Sequence, residues 1–329
     1  MTCRMLLGAA ASLVAASALD ATALAAQTLD VKEWPVEWEG RPRDPAVDAG
    51  GRVWFVGQAG NYIGVFDPAA ETFRRYELEP NTMPHNLIVG SDGGIWYAGN
   101  RNGRIGRIDP ATGETRIILM PEEGARDPHT LLEDEQGNIW FTVQNGGYIG
   151  RLAIESGEVQ LVKAGGERSR PYGIDIDSKG RAWVNLFGTN EIAVVDPATF
   201  AVERIETPRP AARTRRIAVT SDDAVWYVDY AGGRLGRIDP VSGEIREWPV
   251  PGGDEGRPYA LISDDRDRLW FAETNRAAPR LVGFDTKTNT FMLSTPVSAG
   301  IRHMVYHPPT RALWFGTDAN NIGRAILPR

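Results

Sequence analysis

Three of the chain's four histidines, His85, His129 and His303, fall in one register of an internal repeat. Tyr172, Arg216, Tyr259 and, in the first copy, Ala46 complete that register. A second register holds Gly57, Gly99, Val143, Leu186, Asp229, Glu273 and Thr317. The last copy is one residue short before its "IG", so Asp318 is expected in place of Thr317. Carboxylates thus gather in the last three copies. Arg213, Arg215, Arg216, Arg257 and Arg302 bring positive charge to the same region. Imidazole, carboxylate and guanidinium together can move protons on a carbonyl-bearing or anionic ligand. The same groups also read as a solvated mouth in which Arg–Asp pairs hold neighbouring loops. His307 stands before Pro308 and Pro309 and reads as a turn residue.

These registers need elements to position them, and tryptophans mark those elements. Trp54, Trp96, Trp140, Trp183, Trp226, Trp270 and Trp314 recur at spacings of 42, 44, 43, 43, 44 and 44 residues. A period this regular is the signature of a repeat architecture. Each copy has an alternating apolar run, an Asp/Gly turn and a second run carrying the Trp. An Asn/Gly turn, a third run of the "IGRID" type, a "DPxTGE" turn and a more polar fourth run follow. That pattern reads as four short antiparallel strands joined by tight turns. Seven such units predict an all-β fold, a seven-bladed β-propeller of four-stranded antiparallel blades. Each Trp is expected to pack between adjacent blades.

The last copy ends at "IGRAILPR" without a fourth strand. The segment "VKEWPV", Val31 to Val36, matches "IREWPV", Ile245 to Val250, a fourth strand elsewhere. The N-terminal segment is therefore expected to complete the last blade and close the ring, which removes an exposed edge. In such a ring the start of each first strand and the end of each second strand surround one shallow funnel. His303 is then the candidate base. Asp318 and Glu273 are candidate acidic groups of the same funnel. His85, His129, Tyr172, Arg216, Tyr259, Asp229 and Arg302 are candidate ligand-binding residues.

The chain opens with a basic residue, Arg4, an apolar run from Met5 to Leu19 and "ALA" at Ala23–Ala25. This reads as a cleaved secretory signal over residues 1–25, followed by a single propeller over 26–329. The expected location is the periplasm or the exterior. Cys3 is the only cysteine, so the mature chain would have no disulfide and no Cys-based site. A net charge of −7 without a basic tail argues against a nucleic-acid partner. No later stretch is long and apolar enough to span a membrane. The expected partner is a small molecule in the funnel of a monomer. "DIDSKG" at Asp175 and "DDRDR" at Asp264 read as hairpin turns; the former lacks the ligand pattern of a calcium loop.

The repeated "PxGI…G.IWF…N.IGRIDP.TGE…EWP.P" pattern resembles the virginiamycin B lyase, or streptogramin lyase, family over Val31 to Arg324. The resemblance implies a seven-bladed propeller that opens cyclic depsipeptides by elimination. It implies a His base, and Mg²⁺ held by a His and two Glu to stabilise the enolate-like charge. Carried over by position, the base is His303 and one carboxylate ligand is Asp318. Ile301 stands where the second Glu is expected, and Tyr259 where the ligand His is expected; Glu273, which ends strand two in the neighbouring blade, is the candidate substitute metal ligand beside Asp318. Three readings follow: a lyase-like enzyme using His303, a non-catalytic ligand- or protein-binding propeller of the cell envelope, and a Ca²⁺-dependent lactonase. The lactonase reading requires converging axial carboxylates, which the first-strand starts do not supply.

Overall fold

A computed structural model describes residues 28–166 and 168–329. Residues 1–25, read as a signal, and Cys3 lie outside the described residues. The described chain forms seven four-stranded antiparallel sheets arranged as propeller blades. Six blades run in simple sequence order from inner to outer strand. Blade seven combines Ile301–His307, Ala312–Thr317 and Asn321–Ile326 with the N-terminal strand Asp30–Pro35. Val31 pairs with Ala325 and Trp34 with Ile322, so the two chain ends close the ring as expected.

The buried core is not one mass but seven clusters, one at each blade–blade interface. Each repeat Trp packs toward the following blade. Trp96, for example, meets Leu131, Ile139 and Phe141 of blade three. An indole buried this way must still place its N–H. Asp48, Asp134, Asp177 and Asp264 each accept that hydrogen bond at 2.9 Å, from the Trp six residues later. The same carboxylates fold their hairpin: Asp177 accepts the backbone N–H groups of Lys179 and Arg181 at 3.0 Å. "DIDSKG" and "DDRDR" are therefore hairpins, with the added task of anchoring an indole.

The "IG" of the third strand also has a steric cause. Gly106 pairs with Tyr97 and Gly150 with Phe141. A Cβ on Gly106 would lie 2.1 Å from the Tyr97 ring, and one on Gly150 2.2 Å from the Phe141 ring. The aromatic residue after each Trp in these blades lies flat over the partner glycine.

Every inner strand carries a pairing irregularity near its start. In blade two the register breaks between Pro84 and Leu87; the break recurs in the other six. Such bulges put two consecutive residues opposite one and re-aim their side chains. Here both residues of the pair reach the propeller axis.

Candidate functional site

Strand pairing fixes which residues are equivalent. Ala46, Ile88, Leu132, Asp175, Ala218, Ile262 and Val305 all pair with the repeat Trp. Counting back along the strand gives a first axial ring of Arg43, His85, His129, Tyr172, Arg215, Tyr259 and Arg302. The next residue gives a second ring: Asp44, Asn86, Thr130, Gly173, Arg216, Ala260 and His303. The single register expected from sequence is thus corrected. Ala46 lies too far along its strand, and Arg43 is the first-blade member. Arg216 and His303 belong one residue further on, beside Arg215 and Arg302. The hairpin after blade seven's inner strand is one residue longer, which shifts any count made from Trp314.

The second ring closes the axis. Arg216 is 2% exposed and donates to Asp44 at 2.9 Å, to Thr130 Oγ1 at 3.1 Å and to the Arg302 carbonyl at 3.3 Å. One guanidinium therefore links blade five to blades one, three and seven. Asp44 also accepts from Arg43 and from Asn86, both at 3.1 Å. Burial alone would raise the Asp44 carboxyl, but the guanidiniums of Arg216 and Arg43 hold it well below the usual carboxylate range. Gly173 yields the space this needs: a Cβ there would stand 2.6 Å from the Arg215 carbonyl oxygen and 2.9 Å from Arg216 Cα.

The histidines sit in the same plug. The His85 and His129 rings are buried, with centroids 3.5 Å apart. Burial, with the positive charge of Arg43 and Arg216, holds His85 well below its ordinary pKa. Burial, His85 and then the same arginines do so for His129. His303 is half-buried, and its Nδ1 is buried without a partner among the described residues. Desolvation, then Arg216, outweighs the attraction of Asp44 and brings His303 down to about 3.

A cavity of about 450 Å³ opens at the mouth over blades five to seven. Tyr259, Arg302, Asp318 and Arg215 line it, joined by Arg41, Arg276 and Tyr230. Arg302 grips Asp318 with two bonds of 2.9 and 3.0 Å. Arg215 lies over the rings of Phe187, Tyr230 and Tyr259, 4.1 to 4.4 Å from their centroids, and donates to Tyr259 Oη at 3.0 Å. Tyr259 and Tyr172 share a short hydroxyl–hydroxyl bond. Burial opposes ionisation of both phenols. The guanidiniums of Arg215 and Arg43 nonetheless lower Tyr259, while burial and Tyr259 raise Tyr172.

The other expected residues are not brought to this cavity. Glu273 accepts the Gly252 N–H at 2.8 Å and pairs with Arg280. Asp229 accepts the N–H groups of Arg213 and Ala231 at 2.8 and 3.0 Å. Glu273 is thus taken by its neighbouring loop and Arg280, and Asp229 Oδ1 by loop N–H groups, with Arg209 Nε 3.7 Å from its Oδ2. His85, His129 and Tyr172 are plug residues, and His307 bonds Thr310 in its turn at 2.8 Å. Sequence reasoning missed Arg43 and Asp44. Their signal was Pro42, which precedes Trp54 by the same interval as Pro84 precedes Trp96.

Seven blades closed by the N-terminal strand, with polar residues at the mouth, define a propeller of the streptogramin-lyase type. The model of the virginiamycin B lyase family matches residues 29–325, and the chain belongs to that family. A virginiamycin B lyase from Nocardia farcinica (strain IFM 10152) is 28% identical over 103 residues, 31% of this chain and 34% of that protein. The shared stretch is thus about a third of that relative's length. The crystal structure of virginiamycin B lyase from Staphylococcus aureus superimposes with a TM-score of 0.82. It is 25% identical, over 91% of this chain and 100% of that one. A catalytically inactive variant of the same S. aureus enzyme, solved with quinupristin, matches with the same values.

The residues present do not fit the Mg²⁺ that this family implies. Ile301 is fully buried hydrocarbon. The Tyr259 phenol is committed to Arg215 and Tyr172, and Asp318 to Arg302. Among the described residues no three His, Asp or Glu side chains converge as a metal site would require. Asp318 and Glu273, expected as ligands, are instead each paired with an arginine, Arg302 and Arg280.

Proposed function

We propose that this chain is a ligand-binding propeller, which takes a small molecule in the mouth cavity of blades five to seven without the metal-assisted elimination of its relatives. The observation that carries the reading is the two-bond clasp of Arg302 on Asp318. It neutralises the one carboxylate at a family ligand position and turns that position into part of the cavity wall. The state of His303 supports the same reading. Abstraction of a weakly acidic C–H needs a base whose pKa approaches the working pH, and an electrophile for the developing enolate. A base held below its ordinary pKa beside Arg216 supplies little driving force. Export belongs to this proposal too, on the strength of Arg4, the Met5–Leu19 run and the Ala23–Ala25 site.

The test is chromatography with mass spectrometry of quinupristin incubated with the protein, with added Mg²⁺ and with chelator. Unchanged quinupristin in all samples is the expected result. A linear isomer of unchanged mass would overturn the reading in favour of elimination with His303 as base. A product heavier by one water would point to hydrolysis and overturn it equally.

A further inference from the structure

We propose that the ligand of the mouth cavity is an organic anion, an oxyanion on a flat apolar body, with the oxyanion at Arg215 and Arg276 and the body against Tyr230 and Tyr259. The proposal rests on the ligand-binding reading above and names the class of molecule bound.

The charge of the wall carries the argument. Four arginines, Arg41, Arg215, Arg276 and Arg302, face the cavity, and Asp318 is its one carboxylate. Arg302 takes that carboxylate. Among the described residues no Asp or Glu pairs with Arg41, Arg215 or Arg276. A positive excess in a concave, partly dry space concentrates anions.

Arg215 shows the excess most clearly. Its guanidinium is half-buried among aromatic rings, donates one hydrogen bond, and leaves its buried Nε without a partner. A desolvated guanidinium with unfilled donors is costly, and a carboxylate or phosphate matches its fork with two parallel bonds. The rings that hold Arg215 in place also fix its direction, so little entropy is lost when an anion docks. Tyr230 meets the buried Tyr259 edge to face, 5.8 Å between centroids, and gives the cavity an apolar wall beside Arg215. The cavity volume is that of a typical small-molecule site. The axial plug does not compete for this role, because Arg43 and Arg216 are buried there and share Asp44, out of reach of a ligand in the mouth.

Calorimetry with benzoate, 4-hydroxybenzoate and indole-3-acetate, each against its uncharged amide, tests the proposal. At least one acid is expected to bind saturably and at least tenfold more tightly than its amide. Affinity should fall as salt rises, because part of the attraction is unscreened charge. Arg276→Gln, an exposed change that spares the fold, should weaken the acid several-fold and leave the amide unchanged. Arg215→Gln should abolish the preference for the acid. Arg246→Gln, on the outer strand of blade five and not among the cavity-lining residues, should change nothing. Equal binding of acids and amides, no binding of any acid at about 10 mM, or indifference to Arg276→Gln would overturn it. These results are separate from the quinupristin test: a protein could cleave quinupristin and still prefer acids, or bind without any charge preference and cleave nothing.

Discussion

Arg216 and Asp44 meet across the centre of the ring at 2.9 Å, although 172 residues of chain separate them. Both are almost wholly buried. Removing one partner leaves the other charge stranded in the interior. Asp44→Ala is expected to cost about 3–5 kcal/mol of stability in denaturant unfolding. The double change Asp44→Ala with Arg216→Met should cost much less than the sum of the two singles. Because the folded carboxyl is held down, its contribution is present above the unfolded pKa of about 3.9 and lost as pH falls below it. A single-variant loss under about 1 kcal/mol would mean that the pair is not holding the axis.

His303 should stay neutral across the physiological range. Its ring protons, followed by NMR, are expected not to titrate until pH falls toward about 3. The unfolded chain takes up that proton near pH 6.5. The folded state therefore loses stability as pH falls from 6.5 toward 3, and His85 and His129 add to the same slope. Replacing His303 by Leu should flatten part of it. A His303 midpoint near 6.5 would contradict the account of its surroundings.

Tyr259 should ionise below the ordinary tyrosine value of about 10, because Arg215 and Arg43 favour its phenolate against the pull of burial. Tyrosinate absorbance against pH is expected to show one early step. Tyr259→Phe should remove that step and Arg215→Gln should move it upward. An early step unaltered in Tyr259→Phe would belong to another phenol.

The closing strand is held by Trp34, whose ring lies against Phe66 and Trp314 at 4.9 and 5.8 Å between centroids. Trp34→Ala is expected to cost about 3–5 kcal/mol, measured by denaturant unfolding. A synthetic peptide covering residues 28–38 should stabilise a chain that lacks them, with a dependence on peptide concentration. No stabilisation at any concentration would mean that the strand does not pair independently.

The propeller was legible because its signals repeat. Seven tryptophans at one period, the Asp turns before them and the match of "VKEWPV" to a fourth strand each have a direct physical cause in the structure. The funnel's exact membership was less legible. A bulge near the start of every inner strand brings two residues per blade to the axis, and a single register can name only one. Arg216 and His303 were found but placed in the wrong ring, while Arg43 and Asp44 were passed over for Ala46. The carboxylates misled for a different reason. Asp229 and Glu273 end their strands beside N–H groups and arginines of their own loops, and sequence position does not show that a neighbour has claimed a charge. The departure at Ile301 and Tyr259, by contrast, was plain from residue type alone.

The filled axis has one more consequence. Arg216, Asp44, the adjoining imidazoles and the Tyr172–Tyr259 pair meet across the centre of the ring at the end that bears the mouth. The hairpins bearing Asp48, Asp134, Asp177 and Asp264 stand at the other end of the inner strands, so with those carboxylates kept they can be tagged or tethered to a surface while the arginine-lined mouth keeps its chemistry. In this chain the propeller offers two separate sides, one open to attachment and one lined for binding.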